Sequence, residues 1–582
     1  MARVNITIDG QPVQAQSGQT VLEAARSNGV DIPVLCDHPA LPPEGACRVC
    51  LVEVEKQRGL QPACTFPVTE GMVIHTESER VVAARKFVLE LLFSERIHYC
   101  MYCAVSGSDT TSQCELQRLA YRYGLTSWRY PPNTSKRWPV DASRKHFIMD
   151  HSRCILCRRC IRACDQVVAN HTLGLRDRGS RTMVIADDGV PFGASTCVSC
   201  GTCLQVCPTG ALIDRRSAYM GGQGDFTHTL TTCLACPVGC GIDASTRSNT
   251  LVKVNGDWGA SNGGLLCVHG RFEVVEPQPG RITTPLIRRG ERDDAWAQVS
   301  WDEAISVVAN RLQASKAVAG LASPRSTNEE LAAFRSLFDK VPAHDQVGLI
   351  YGQMPPPVGQ AATLDELSGA DCIVVVSGRP LDDQKVVAYV ARRTAEQGAR
   401  LIVVSDEPTA LEAYARKCYP LSDIDQAVAE AAAAERPVVL YAAGLALAIY
   451  EALRALPAQA RVLPLYKGTN TAGAAKVGLA ERPVTGKYTV YKGDALFVLA
   501  GDEIPDGHDL PEASFTVIQA AYRTRWTEAA DVILPALIWS EKQGHIVNIE
   551  GRELPVVAFL QPPAGVPADA ATLAGLAERL AR

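Results

Sequence analysis

Long apolar segments are missing from this chain of 582 residues. A membrane-spanning helix needs about 20 consecutive apolar residues. The longest apolar run, 437–450, is rich in Ala and Gly and predicts a buried strand that leads into a helix. Residues 1–10 alternate apolar and polar like a strand and lack the apolar core of a signal peptide. We therefore expect a cytoplasmic protein without a direct membrane span, either free or docked on the cytoplasmic face of a membrane complex.

An excess of positive charge is also missing. The chain has 58 Lys and Arg against 63 Asp and Glu, a net charge of −5, so no basic field indicates a nucleic-acid partner. No Gly-x-Gly-x-x-Gly follows a strand and no phosphate-binding loop occurs. The sequence therefore predicts no NAD or flavin site in this chain.

Cysteine is scarce only in the second half of the chain. Of 21 cysteines, 19 precede Gly270, and only Cys372 and Cys418 follow it. A cytosolic compartment keeps thiols reduced, so clustered cysteines indicate metal ligands rather than disulfides. Cys372 begins an apolar run and Cys418 adjoins Tyr419 and Pro420, so we interpret both as small core or near-surface residues.

The first cysteine group follows a small α/β unit. Strands at 4–8 and 12–15, a turn at Asp9-Gly10 and a helix at 20–27 are predicted before it. The group consists of Cys36, Cys47, Cys50 and Cys64. Four thiolates suit a 2Fe–2S cluster, and zinc also accepts four cysteines. The preceding strand–helix pattern favours iron.

The second group follows a helix predicted at 78–95 and has only three cysteines. Its members are His98, Cys100, Cys103 and Cys114. An imidazole nitrogen can replace one thiolate at a cluster, and His98 lies two residues before Cys100. We therefore predict that His98 is the fourth ligand; the alternative is a histidine that is bonded in the core or exposed to solvent.

The third and fourth groups form an internal repeat with the spacing of bacterial two-cluster ferredoxins. The fourth cysteine of each run there binds the other cluster. We predict one 4Fe–4S site from Cys154, Cys157, Cys160 and Cys207, and a second from Cys197, Cys200, Cys203 and Cys164. A fifth group, predicted to bind another 4Fe–4S cluster, consists of Cys233, Cys236, Cys240 and Cys267.

The N-terminal groups carry a family resemblance. The first resembles the plant-type ferredoxin fold in the version found in complex I and NAD-linked hydrogenases. Residues 94–100 with 114–117 resemble a segment with one histidine and three cysteines that occurs in complex I, iron hydrogenases and NAD-linked formate dehydrogenases. The single residue between His98 and Cys100 is nearer to the soluble members, whereas the ten residues before Cys114 depart from the complex I pattern.

The remainder resembles the molybdopterin oxidoreductases, especially formate dehydrogenases. Residues 263–272, which close the fifth group, carry this resemblance, and it continues through 281–286, 300–304, 530–535, Glu541-Lys542 and 548–552. Apolar runs at 317–321, 372–376, 401–404, 438–441, 495–500, 515–520 and 532–534 alternate with helical stretches such as 301–312, 385–397 and 425–434. That alternation predicts a largely parallel, doubly wound α/β sheet.

Three features of a catalytic pterin enzyme are missing. Catalytic members present a Cys, selenocysteine or Ser to the metal, and that residue would fall between about 335 and 355. Residues 337–346 contain neither Cys nor Ser, and Ser336 falls in a helical run. Catalytic members usually have a lysine two residues after the last cluster cysteine, whereas this chain has His269 there. The chain stops at Arg582, where the capping barrel would begin. We therefore expect a degenerate pterin domain without molybdopterin, as in the large iron–sulfur subunit of complex I.

The predicted fold is multidomain, α/β and α+β. The domains are a β-grasp 2Fe–2S domain at 1–78, a cluster domain with one His and three Cys ligands at 79–120, a two-cluster ferredoxin domain at 149–212, a molybdopterin-oxidoreductase-type 4Fe–4S domain at 228–275 and a degenerate doubly wound α/β molybdopterin-oxidoreductase-like domain at 276–582. Cofactors would be one 2Fe–2S and four 4Fe–4S clusters.

The resemblance implies an electron-relay subunit of an NAD(H)-linked oxidoreductase complex, without a complete substrate site of its own. Its expected partners are a flavoprotein that binds NADH, with a small ferredoxin-like subunit, and a second catalytic subunit of the hydrogenase or formate dehydrogenase type. A complex I large subunit is the alternative, favoured by the degenerate domain. A molybdenum or tungsten enzyme would need the missing features, and an iron–iron hydrogenase would need cysteine motifs after Cys267.

Overall fold

A computed structural model describes residues 2–127, 129–276, 278–290, 295–342, 344–377, 379–479, 493–503 and 509–581. Ala343 and Arg582, which two of the sequence arguments include, lie outside the described residues. The chain divides into two units, Met1–Thr227 and His228–Arg582. Within the described ranges, no helix combines the length and the apolar character needed to cross a membrane.

The first unit contains short elements separated by long loops. In chain order they are β1 Arg3–Ile8, β2 Gln11–Gln16, α1 Val21–Ser27, β3 Leu51–Val54, β4 Gln61–Pro62, β5 Val73–His75, α2 Glu79–Glu95, α3 Glu115–Arg122, β6 Val140–Asp141, β7 Phe147–Asp150, α4 Arg159–Arg162, β8 Leu173–Arg176, β9 Met183–Ala186, α5 Thr202–Gln205 and β10 Leu212–Asp214.

The N-terminal α/β unit has the strands and helix that the sequence predicts. Its sheet has the order β2-β1-β5-β3-β4, with β1 and β2 antiparallel and β1 and β5 parallel. Asp9 and Gly10 turn between β1 and β2 with φ of 47° and 80°, as a two-residue hairpin turn requires. Thr20 and Glu23 form a capping box that begins α1.

Buried arginines hold the loops of the first unit. Arg85 and Arg96 are fully buried. Arg96 donates to the carbonyls of His151 at 2.6 Å and Thr182 at 2.7 Å, and its guanidinium lies 3.7 Å from the centre of the Trp138 ring. A guanidinium has five N–H donors in a fixed fork, so one side chain can satisfy carbonyls from two separate loops.

The second unit is larger and has longer strands. Its elements are β11 Thr227–Thr232, β12 Gly241–Arg247, β13 Thr250–Gly256, α6 Val268–Arg271, β14 Leu286–Ile287, β15 Ala297–Gln298, α7 Trp301–Ala314, β16 Val318–Ala322, α8 Asn328–Phe338, β17 His344–Leu349, β18 Gln360–Ala361, α9 Leu364–Ser368, β19 Cys372–Val376, α10 Lys385–Glu396, β20 Arg400–Val404, β21 Lys417–Tyr419, α11 Ile424–Ala432, β22 Pro437–Ala442, α12 Leu447–Leu453, β23 Arg461–Leu465, α13 Thr471–Lys476, β24 Gly493–Gly501, β25 Ala513–Ala520, α14 Arg525–Glu528, β26 Val532–Pro535, β27 Gly544–Val547, β28 Glu553–Val556 and α15 Asp569–Leu580.

The predicted strands are present, but they form two sheets instead of one. A seven-stranded sheet has the order β15-β14-β26-β25-β24-β16-β17, and a six-stranded parallel sheet has the order β18-β23-β22-β19-β20-β21. Every residue of β19 is buried, including Cys372. A parallel strand buried on both faces is a continuous apolar run, so the pattern predicts the strand without predicting its sheet.

Two of the motif residues that suggested an oxidoreductase family join distant parts of the second unit. Lys542 Nζ lies 2.9 Å from Glu330 Oε2 in α8 and 3.6 Å from Asp569 Oδ2 at the start of α15. All three side chains are at most 6% exposed. Glu541 Oε2 pairs with Arg281 Nη2 at 2.6 Å. These residues therefore tie the ends of the unit together.

Replacing Lys542 with Met should strongly destabilise the second unit. Removing one partner of a buried ion pair leaves the other charge unpaired, which costs about 3–5 kcal/mol. Denaturant unfolding of the purified chain measures the change. The control Arg289→Met removes an exposed pair with Glu303, for which we expect about 0–1 kcal/mol. Equal small shifts for both variants would contradict the structural role of Lys542.

Candidate metal-cluster sites

The first cysteine group lies in the loops that flank β3 and β4. All four cysteines are at most 8% exposed, and Cys50 Sγ lies 3.4 Å from Cys64 Sγ. Hydrogen-bonding contacts also join Cys36 to Cys47 and to Cys64. These pairwise contacts run as a chain, and across the described residues no three His, Cys, Asp or Glu side chains converge as a single metal ion requires.

The contacts within this group perturb its thiols in opposite directions. Hydrogen bonds from Cys47 and Cys64 lower the pKa of Cys36. The contact with Cys36 raises the pKa of Cys47 and of Cys64. The contact with Cys64 also lowers the pKa of Cys50, so two of the four thiols favour the thiolate, which is the form that binds iron. This donor set fits a cluster.

The second group surrounds a small cavity. All four predicted ligands line it: His98, Cys100, Cys103 and Cys114. Burial raises the pKa of Cys114 to about 12, so this thiol stays protonated unless a metal displaces the proton. The structure thus brings together the residues that the sequence analysis grouped.

His98 is oriented for coordination. Its Nε2 is buried and has no hydrogen-bond partner among the described residues, while the ring bonds the backbone of Leu92. Burial lowers the pKa of His98 to about 4, so the imidazole is neutral near pH 7. Metal-binding histidines typically fix one ring nitrogen by such a bond and present the other to the metal. A free, neutral Nε2 beside three cysteines fits a cluster.

The unusually long gap before Cys114 folds around one side chain. Gln117 Oε1 accepts hydrogen bonds from Ser112 Oγ at 2.7 Å, from Ser106 Oγ at 3.2 Å and from the Gly107 N–H at 3.2 Å. The ten-residue gap therefore forms an ordered loop that returns Cys114 to the cavity, which accounts for the departure from the complex I spacing.

Each of the paired groups places its fourth cysteine near the other run. The charge of Cys207 acts on the thiols of Cys154, Cys157 and Cys160. Burial, followed by the charge of Cys200, raises the pKa of Cys164 to about 12. Each last cysteine is therefore near the other run, as the ferredoxin-type spacing predicts.

The two runs also share an uncommon backbone pattern. Leu156 and Ser199 have φ of 53° and 55°, and Arg158 and Gly201 have φ of 60° and 70°. The N–H groups of Leu156 and Ser199 each donate to the preceding cysteine sulfur at 3.4 Å. Left-handed backbone at non-glycine residues is unfavourable and tends to occur at ligand-binding sites. The internal repeat is thus repeated in conformation.

The fifth group lies at the ends of β11 and β12. The Cys233 N–H donates to the Cys240 carbonyl at 2.8 Å, and the Gly270 N–H donates to Cys267 Sγ at 3.5 Å. Burial, followed by the charge of Cys267, raises the pKa of Cys233 to about 11. A cleft of about 330 Å³ opens beside Cys236 and Cys267.

The wall of this cleft does not fit a phosphate-bearing pterin. Asp383 and Glu503 line it together with Lys467, whereas phosphate sites use arginines, lysines and helix N-termini. His269, also in the wall, bonds Glu273. From the window 335–355, the wall contains Tyr351, whose hydroxyl donates to Glu503 at 2.8 Å. The residues of this cleft therefore do not support chemistry on a pterin or its metal.

Sequence reasoning missed the residue that joins three of these sites. Arg159, 2% exposed, donates to the carbonyls of Asp37 at 2.6 Å and Val206 at 3.3 Å. It also pairs with Glu115, at 2.7 and 2.9 Å. These partners adjoin Cys36, Cys207 and Cys114. The signal in the sequence was a pair of arginines inside a cysteine run.

Five family models match successive parts of the chain. Residues 1–79 match a 2Fe-2S iron-sulfur cluster binding domain, 85–129 the NADH-ubiquinone oxidoreductase-G iron-sulfur binding region and 129–211 a 4Fe-4S dicluster domain. Residues 226–274 match the molybdopterin oxidoreductase Fe4S4 domain and 281–579 the molybdopterin oxidoreductase family. The first match favours iron over zinc. The number of 4Fe–4S clusters and their ligands stay predictions.

Similar proteins are oxidoreductase subunits. An NADH-quinone oxidoreductase subunit of Rhizobium meliloti is 34% identical over 71% of this chain and 49% of its own. The alpha subunit of the NADPH-Fe(3+) oxidoreductase of Geobacter sulfurreducens is 29% identical over the same shares. The chain therefore spans about half the length of these relatives. A crystal structure of NAD+-reducing [NiFe]-hydrogenase matches 38% of this chain and 90% of its own at 34% identity, with a TM-score of 0.34.

His98→Ala should remove one cluster, with a loss of about four irons, because three cysteines remain. His98→Cys should retain the cluster at a more negative potential, since a thiolate adds charge that imidazole lacks. Iron analysis and redox titration followed by electron paramagnetic resonance (EPR) measure both. His75→Ala is the control, because His75 is exposed and pairs with Glu55, outside the cysteine groups. A full set of unchanged clusters in His98→Ala would contradict the assignment.

Gly210→Ala should disturb the same cluster through sterics alone. A Cβ at Gly210 would lie 2.4 Å from Cys103 Sγ and 3.0 Å from Val105 Cγ2, so Cys103 must move. We expect loss or broadening of the EPR signal that His98→Ala removes. Gly174→Ala is the matched control, since a Cβ there meets nothing within 4 Å. Identical spectra for the two glycine variants would contradict the close contact between position 210 and Cys103.

Proposed function

The chain belongs to the molybdopterin oxidoreductase family, and from that premise we propose that it is an iron–sulfur electron-relay subunit of an NAD(H)-linked complex. The proposed cofactors are one 2Fe–2S cluster and four 4Fe–4S clusters. When bound, such clusters accept and pass on single electrons. The protein contributes ligands, spacing and the electrostatic surroundings.

The observation that carries this proposal is that neighbouring sites share walls. Thr209 and Gly210, which follow Cys207, line the cavity of the His98 group. The charge of Cys207 acts on Cys114, and the charge of Cys203 acts on Cys160. Storage of iron requires no such adjacency, whereas transfer between clusters depends on it.

The first cysteine group is connected to the paired groups through two arginines. Arg162 donates to the carbonyls of Cys36 and Pro42, and Arg159 donates to that of Asp37. Both arginines lie in α4, between Cys157 and Cys164. Their positive charge opposes the negative charge of cluster thiolates and sulfides. This supports a relay in which the sites of the first unit form one connected series.

We further propose two partners: a flavoprotein that exchanges hydride with NAD(H), accompanied by a small ferredoxin-like subunit, and a second catalytic subunit of the hydrogenase or formate dehydrogenase type. The chain itself would hold no complete substrate site and would act in the cytoplasm. The alternative is a complex I large subunit, which the match of residues 85–129 to the NADH-ubiquinone oxidoreductase-G region favours.

The direct test is reduction by NADH, followed by freeze-quench EPR under anaerobic conditions. The chain purified alone should be reduced by dithionite and not by NADH. The complex isolated through a tag on this chain should show the same cluster signals after NADH is added. Cys372→Ser is a matched control, because Cys372 is a buried cysteine outside all five groups and its loss should leave the signals unchanged.

Metal analysis of the same complex distinguishes the alternative kinds of partner. Nickel would identify a hydrogenase partner, molybdenum or tungsten a formate-dehydrogenase-type partner, and iron alone a complex I-like assembly. Reduction of the isolated chain by NADH would contradict the relay assignment. Molybdenum or tungsten that stays on the isolated chain would contradict the absence of a pterin site.

A further inference from the structure

The wall of the cleft beside the fifth cysteine group contains a buried hydroxyl without a partner. Tyr466 lies directly after β23 and is 1% exposed. Within the part of the chain that the structure describes, its Oη makes no hydrogen bond. The same cleft is lined by Cys236 and Cys267. A buried hydroxyl that bonds nothing is unfavourable, so this group needs an acceptor inside the cleft.

The Tyr466 phenol stays a donor. Burial raises its pKa above the ordinary value, and the charge of Cys236 adds to that increase. The same effect shows that Cys236 is close enough for its charge to reach Oη. A protonated phenol therefore lies near the loop that carries Cys236, in the wall of the cleft that Cys236 and Cys267 also line.

The backbone around Tyr466 is held on two sides. Gln384 Nε2 donates to the Tyr466 carbonyl at 2.8 Å. Thr469 Oγ1 donates to the Leu234 carbonyl at 2.9 Å, inside the loop between Cys233 and Cys236. The segment 466–469 is thus bound directly to the loop that carries two of the predicted ligands, which fixes the position of the phenol relative to them.

We propose that Tyr466 donates a hydrogen bond to a sulfur of the cluster held by the fifth group, and that this bond raises the reduction potential of that cluster. The inference rests on the proposed function, because it requires the cluster. Hydrogen bonds to sulfur are one of the factors that set cluster potentials. Reduction adds negative charge to the sulfurs, so the bond strengthens in the reduced state and favours it.

Redox titration of Tyr466→Phe, followed by EPR on the full chain, tests the proposal. A Cys236→Ser variant first identifies which signal belongs to the fifth group. We expect that signal to titrate at a more negative potential in Tyr466→Phe, with the other signals unmoved. Tyr441→Phe is the matched control, since Tyr441 is also buried but its hydroxyl donates to the Pro356 carbonyl at 3.2 Å. It should shift no potential.

A second measurement keeps the test decisive if Tyr466→Phe loses its cluster. Electron–nuclear double resonance of the wild-type chain in H₂O and D₂O should show an exchangeable phenolic proton coupled to the fifth cluster, in addition to those of backbone N–H groups such as Gly270 that bond its cysteine sulfurs. The absence of the phenolic proton, or an unchanged potential in an intact Tyr466→Phe cluster, would overturn the role of Tyr466 while leaving the relay in place. A wild-type chain without a cluster on Cys233, Cys236, Cys240 and Cys267 would overturn both.

Discussion

The arrangement of the cysteine loops in the first unit depends on buried guanidinium groups. The unit has little regular structure around its sites, and its loops leave many carbonyls that need donors. Arg159 joins the loop after Cys36, the start of α3 beside Cys114 and the segment before Cys207. Arg96 similarly joins the loops at His151 and Thr182. Because each fork bonds two or three separate segments, the relative placement of the sites follows from a few side chains.

These guanidinium groups also supply positive charge beside the cysteine loops. Burial raises the pKa of Cys114 and, together with the charge of Cys200, that of Cys164, so these two thiols keep their protons in the absence of metal. Cluster assembly must displace those protons and then leaves a net negative site in a low-dielectric interior. Arginines bound to the same loops offset part of that charge. Structural cross-linking and electrostatic compensation are therefore provided by the same residues.

The sequence predicted most elements and the grouping of all five sites, because cysteine spacing and apolar periodicity are local signals. The strand at 372–376 and the helix predicted at 78–95, which the structure has at Glu79–Glu95, follow directly from them. It did not predict that the predicted strands of the second unit divide between a mixed seven-stranded sheet and a parallel six-stranded sheet, since buried parallel strands have the same apolar pattern in either sheet. It also missed Arg159, Gly210 and Tyr466, whose roles depend on contacts between residues far apart in the chain.

The most direct test of the five-site account is Mössbauer spectroscopy combined with iron and sulfide analysis on the anaerobically purified chain. The account predicts about eighteen irons per chain, with a minor 2Fe–2S component and a dominant 4Fe–4S component. Zinc at stoichiometric levels, or an iron content that fits only the first four groups, would contradict it.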